Sequence, residues 1–167
     1  EMCIRDSSLL HSTPTSPVGS VLDLGTGSGV QLLGQLDSAE RIVATDVHER
    51  ALDLARATVA AADATQRVDL RSGSWFEPVA GERFDRIVAN PPFVVGLPEV
   101  GHVYRDSGLN LDGASELVVS QVTEHLNPGG TAHLLAAWVH QGEESWQQRV
   151  ASWLPDTGVA AVSYTHL

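Results

Sequence analysis

Val21-Leu22-Asp23-Leu24-Gly25-Thr26-Gly27-Ser28-Gly29-Val30 decides the fold. Val21, Leu22 and Leu24 read as a short buried strand. Glycines follow at every second position. Val30, Leu32, Leu33 and Leu36 then open an apolar helical pattern. Strand, glycine turn and helix start make the nucleotide-binding crevice of an open α/β sheet. Without Cβ atoms in the way a ligand can approach the backbone, and the N–H groups that open the helix face it. The dinucleotide spacing would put its third glycine at Val30, whereas here it is Gly29. A Walker-type phosphate loop needs a lysine, and the chain has none.

The 167 residues are enough for one domain with a core, and 43% hydrophobic with 19% charged is a globular composition. No apolar stretch is long enough to span a bilayer, and the N-terminus lacks the basic and apolar regions of a signal peptide. The expectation is a soluble, cytoplasmic protein that does not engage a membrane. Formal charge is −11. That acidity argues against gripping a phosphate backbone and suits a cationic cofactor or a protein partner. Residues 1–7 and 162–167 continue no neighbouring pattern. Both are similar to peptides that arise when sequencing-adapter DNA is translated, so they are read as non-native tails around a domain over 8–161. The single cysteine, Cys3, falls in the first tail, which leaves no disulfide or thiol chemistry.

Residues 8 to 19, with Pro14, Pro17 and Gly19, read as an entry loop. A second buried strand, Arg41 to Thr45, ends in Asp46. This acid lies about twenty residues past the glycine turn, where such folds place a carboxylate on ribose hydroxyls. The alternative is that Asp46 or a neighbour caps the helix from Glu49 to about Ala62. A third strand around Val68 and Leu70 leads into Gly73-Ser74-Trp75-Phe76-Glu77-Pro78. Ser74 is placed to bond the edge of a base and Trp75 to cover its face, with Phe76 in the core; the alternative puts Trp75 in the core as well.

Phe84 to Ala89 is a fourth strand, ending in Asn90-Pro91-Pro92-Phe93. Consecutive prolines fix φ, remove two N–H groups and keep Asn90 extended. The result is a stiff platform with a side-chain amide oxygen, a backbone carbonyl at Pro91 and an aromatic face at Phe93. Two acceptors beside a flat surface suit a planar NH₂ group and aim its lone pair at an electrophile.

On these residues the chain resembles the class I S-adenosylmethionine-dependent methyltransferases. Asp23-Leu24-Gly25-Thr26-Gly27-Ser28-Gly29 is similar to their cofactor loop and Asp46 to their ribose acid. Asn90-Pro91-Pro92-Phe93 is similar to the motif of the branch that methylates amino groups on planar systems. Within it, the HemK-like group related to release-factor glutamine methyltransferases resembles this chain most, and Gly73 to Pro78 resembles the loop of the glutamine enzymes. The loop Tyr104-Arg105-Asp106-Ser107-Gly108 departs from those enzymes. The resemblance implies a Rossmann-like α/β/α sandwich with a mostly parallel sheet whose C-terminal strands are truncated. It also implies in-line transfer of a methyl group to nitrogen without a metal, with Asn90, Pro91, Pro92 and Phe93 as the catalytic platform. Asp23, Gly25, Thr26, Gly27, Gly29, Asp46, Ser74 and Trp75 would bind S-adenosyl-L-methionine, Asp23 by orienting the loop or the ammonium end of the cofactor.

Residues 94 to 112 form a long loop directly after the platform, which makes Tyr104 and Arg105 candidate substrate contacts. A helix from Ser115 to about Leu126, ended by Asn127-Pro128-Gly129-Gly130, precedes a fifth strand over Thr131 to Trp138. A last helix runs from Glu143 to Leu154. His125, His133 and His140 lack metal-ligand spacing. The favoured acceptor is a protein glutamine amide. An exocyclic amine of an RNA or DNA base is the same-fold alternative, and a nicotinamide oxidoreductase or a non-catalytic cofactor-binding fragment the alternatives of other classes.

Overall fold

The computed structural model describes residues 2–91, 112–138, 145–155 and 158–162. They fall into two units, residues 2–91 with 124–136, and the remaining described residues. In the first unit five strands, β1 (Val18–Leu24), β2 (Ala39–Asp46), β3 (Val68–Ser72), β4 (Phe84–Ala89) and β5 (Leu126–Leu134), stand in the order β3-β2-β1-β4-β5. Every described pairing is parallel. The order reverses between β1 and β4, so the crevice of the sheet opens at their carboxyl ends.

Helix α1 (Met2–Ser12) precedes β1, α2 (Val30–Gln35) follows the glycine turn, and α3 (Glu49–Ala61) crosses from β2 to β3. One sheet face, with Val21, Ile42, Ala44 and Val88, packs on Leu9 of α1, Leu32 of α2 and Val59 of α3. Leu22, Val43 and Ile87, adjacent in register on the opposite face, are fully buried. Strands buried on both sides are why β1 and β4 read as apolar runs rather than alternating ones.

The entry loop expected over residues 8 to 19 is corrected at both ends, since residues 8–12 belong to α1 and Val18 and Gly19 to β1. Leu9 is 2% exposed, and Leu10 lies so close to Gly34 that a side chain there would overlap it. The Thr13 N–H and hydroxyl both donate to the Leu9 carbonyl and close the helix. Pro14 and Pro17 therefore follow a helix stop.

The fifth strand is also shifted. Asn127 to Gly130 lie within β5 as an irregularity between the pairs Phe84–Leu126 and Arg86–Thr131. Gly130 rides against the carbonyls of Phe84 and Asp85, too close for a side chain. The strand ends at Leu134 instead of Trp138. Its partner β4 stops at Ala89, whose carbonyl accepts the Leu135 N–H, and a proline follows at Pro91.

In the second unit α4 (Gly113–Gln121) ends five residues before the expected Leu126, because the chain tightens into a 3₁₀ turn over Val122–His125. Helix α5 (Trp146–Trp153) is opened by a reciprocal Ser145–Gln148 capping box. Asp112 accepts from Arg149 at 2.6 and 2.9 Å, and Trp138 stacks on Trp146. No helix among the described residues is long and apolar enough to cross a membrane.

Candidate functional site

Register places the singled-out residues along one edge of the sheet. Leu24 pairs with Thr45 on one side and Ala89 on the other, and Asp46 pairs with Ser72. Gly25, Asp46, Gly73 and Asn90 therefore stand side by side where β1, β2, β3 and β4 end.

The turn after β1 has φ of 72° at Gly25, 57° at Gly27 and 87° at Gly29. Thr26 and Ser28 between them lie at negative φ. Such alternation curls the backbone tightly, and its Thr26, Gly27 and Gly29 N–H groups donate to the Thr45 carbonyl, Asp46 and the Thr26 carbonyl. At Gly25 and Gly27 an added Cβ would meet nothing within 4 Å, so glycine is required there by backbone angle.

Asp23, 1% exposed, aims its carboxylate inward. Its Oδ2 accepts from the Thr26 hydroxyl at 2.6 Å and the Leu32 N–H at 3.0 Å. A buried carboxylate is tolerable when donors surround it, and this one ties the turn to the first residues of α2.

Asp46 is half-buried. Its Oδ2 accepts the Gly27 N–H and its Oδ1 the His48 N–H, each at 2.9 Å. The cap of α3 is His48, so Asp46 shapes the turn before the helix rather than capping it. The Thr26 N–H adds a bond to the Thr45 carbonyl.

The loop after β3 is joined to the same edge by the Gly73 N–H, which donates to the Asp46 carbonyl. Gly73 has φ 155°, and a Cβ there would lie 2.5 Å from Pro78. Trp75 has φ 48°, a left-handed conformation that costs an L-residue on the order of 1–2 kcal/mol. Its surroundings impose it. The Glu77 N–H bonds Ser74, Arg71 donates to the Pro78 carbonyl at 2.9 Å, and buried Phe76 stacks on His125 with centroids 4.6 Å apart. Strain maintained in this way is frequent where a loop clamps a ligand. Phe76 is core, as expected, while Trp75 and Ser74 remain half-exposed.

Asn90 is half-buried and Pro91 buried at the end of β4. Pro92, Phe93, Tyr104 and Arg105 lie outside the described residues, as does His140. Thr58 had no signal in the sequence, where it is one more polar residue on an amphipathic helix; its hydroxyl donates to the Ser28 carbonyl. A groove of about 420 Å³ beside Gly19, Asp37, Glu40 and Arg67 lies at the amino ends of β1 and β2, the opposite edge of the sheet.

A release factor glutamine methyltransferase of Cereibacter sphaeroides is 34% identical over 168 residues, covering 93% of this chain and 58% of that protein. One of Xylella fastidiosa is 36% identical over 132 residues, covering 71% and 46%. The chain thus spans about half the length of these relatives. A 16S rRNA methyltransferase of T. thermophilus, solved in complex with AdoMet and guanosine, superposes with a TM-score of 0.56 at 26% identity, covering 71% of this chain and 29% of that one. A precorrin-6y C5,15-methyltransferase of Geobacter metallireducens, at 18% identity and a TM-score of 0.58 over 77% of this chain and 60% of that one, shares the Rossmann-like fold. The methyltransferase small domain model matches residues 6–149, and the chain belongs to that family.

Proposed function

We propose that the protein is an S-adenosylmethionine-dependent N-methyltransferase whose acceptor is the side-chain amide of a protein glutamine. One observation carries the reading: the three-glycine turn, Asp46 and Asn90-Pro91 share the edge where the strand order reverses. The residues present fit the cofactor. The left-handed Gly25 and Gly27 leave bare backbone with nothing against it for the cofactor to approach, and the Asp46 carboxylate stands beside it for the ribose hydroxyls. Ser74 and Trp75 flank that position for the base.

When bound, S-adenosylmethionine supplies an electrophilic methyl group on a sulfonium. Asn90 and Pro91 would offer two oxygens to the two N–H groups of the acceptor, orient its nitrogen towards that methyl group and stabilise the positive charge that methylation builds on it. The surplus proton then leaves to water. We assign Pro92 and Phe93 to the same platform and Tyr104 and Arg105 to recognition of the acceptor. The glutamine choice is supported by the names of the relatives and by the net charge of −11. The solved rRNA enzyme favours a base exocyclic amine as the second reading.

Calorimetric titration with S-adenosylmethionine and with NAD tests the cofactor, and binding of NAD alone would overturn the proposal. Incubation with labelled cofactor and cell extract tests the acceptor. Label removed by protease supports the glutamine reading. Label removed by nuclease selects the base amine, and binding without transfer selects a non-catalytic cofactor-binding fragment.

A further inference from the structure

Thr58 lies in the third turn of α3, far in sequence from the glycine turn. Its hydroxyl donates to the Ser28 carbonyl at 2.8 Å. The N–H of the same Ser28–Gly29 peptide donates to the Thr26 carbonyl at 2.9 Å. That peptide is therefore gripped at both ends, by the turn itself and by the crossover helix. The methyl group of Thr58 also faces the third glycine. A Cβ at Gly29 would stand 3.4 Å from Thr58 Cγ2 and 3.7 Å from the Ala55 Cα. Gly29 thus combines a left-handed φ of 87° with close approach of α3.

We propose that Thr58 is a positioning residue for the cofactor. It touches neither cofactor nor substrate and acts through Ser28 by fixing the plane of the Ser28–Gly29 peptide. That plane sets the shape of the glycine turn that the cofactor approaches. Asp46 holds the turn at Gly27 and Asp23 holds it at Thr26, so the Ser28–Gly29 peptide is the part those carboxylates leave to α3. Without the Thr58 hydroxyl the turn populates other peptide orientations, and binding has to bear the cost of ordering it. The proposal rests on the reading of this turn as the S-adenosylmethionine site.

Thr58→Val keeps shape and methyl contact but removes the donor, and Thr58→Ser restores the donor. Titration with S-adenosylmethionine is expected to show affinity about fivefold weaker for Thr58→Val, the worth of one neutral hydrogen bond, and near wild type for Thr58→Ser. Thermal midpoints should stay within about 3 °C of one another, because the Ser28 carbonyl can take water instead. Unchanged affinity in Thr58→Val would overturn the proposal, as would equal losses in both variants or a loss matched by a much lower midpoint. Wild-type protein that fails to bind S-adenosylmethionine would instead overturn the reading of the site.

Discussion

The Gly27 N–H donates to Asp46 Oδ2 across 2.9 Å, so the turn after β1 is held by the residue that ends β2. The other carboxylate oxygen takes the His48 N–H at the same distance. One side chain thereby shapes two turns at the crevice. Asp46→Asn can offer its oxygen to only one of these N–H groups and turns an NH₂ toward the other. Charge-assisted bonds contribute roughly 1.5–3 kcal/mol, so S-adenosylmethionine affinity should fall about ten- to a hundredfold. Calorimetry checks this, and an affinity within twofold of wild type would remove Asp46 from the binding site.

Asn90 is expected to behave differently. It begins the segment after β4, and its proposed oxygen contact is to the acceptor. Removing one preorganised group at developing charge typically costs 10²–10³ in rate. Asn90→Ala should lower methyl transfer by about that factor while S-adenosylmethionine titrates as in wild type. Parallel loss of binding would place Asn90 against the cofactor.

Asp85 gives the first unit a pH dependence. The Asn127 amide donates to Oδ1 at 2.8 Å, and Ser20 donates its N–H and its hydroxyl to Oδ2. The Asn127 bond foremost, then Ser20, hold the Asp85 carboxyl below the usual carboxylate range against the opposing effect of burial. With the folded pKa below the unfolded one, this stabilisation is complete above the unfolded pKa of about 3.9 and is lost as pH falls through the folded value. Asn127→Ala should therefore cost on the order of 1–2 kcal/mol at pH 7 and markedly less at pH 3. Urea unfolding at the two pH values measures it, and a gap independent of pH would contradict the assignment.

The edge of the sheet was legible because its chemistry is local. A glycine on every second position needs no distant partner to be recognised as a left-handed turn, and an apolar run stopped by Asn90-Pro91 marks the end of β4 on its own. What was hidden depends on neighbours far along the chain. Helix α1 is secured by Leu9 packing on the core, and from sequence Pro14 and Pro17 look the same whether they form a loop or follow a helix stop. Asn127 to Gly130 carry the signature of a turn, yet Gly130 is drawn against the β4 carbonyls and keeps the segment in the ladder. The left-handed Trp75 and the grip of Thr58 likewise arise only once β3 and α3 are in place.

Arg86 sets a final test. Its side chain, among the fully buried ones, points from β4 to the α2 side of the sheet. Gln35 Oε1 accepts at 2.7 Å, the Ser16 carbonyl at 2.9 Å, the Ser16 hydroxyl at 3.0 Å and Ser38 at 3.3 Å. All four are neutral oxygens, and Nε has no partner among the described residues. Burial lowers the Arg86 pKa; burial first, and then the Arg86 charge, lower that of His133 of β5, which pairs with Val88 of β4. Arg86→Ala removes the donor from Gln35 and Ser16 and opens a cavity, so it should cost roughly 3–5 kcal/mol. Arg86→Met fills most of the volume and relieves the desolvated charge, so it should recover about 2 kcal/mol of that loss. It should also let the His133 pKa rise, which a proton-detected titration of the ring can follow. Equal destabilisation by Ala and Met would mean that the bonds tying Ser16 to the end of α2 outweigh the cost of burying the charge.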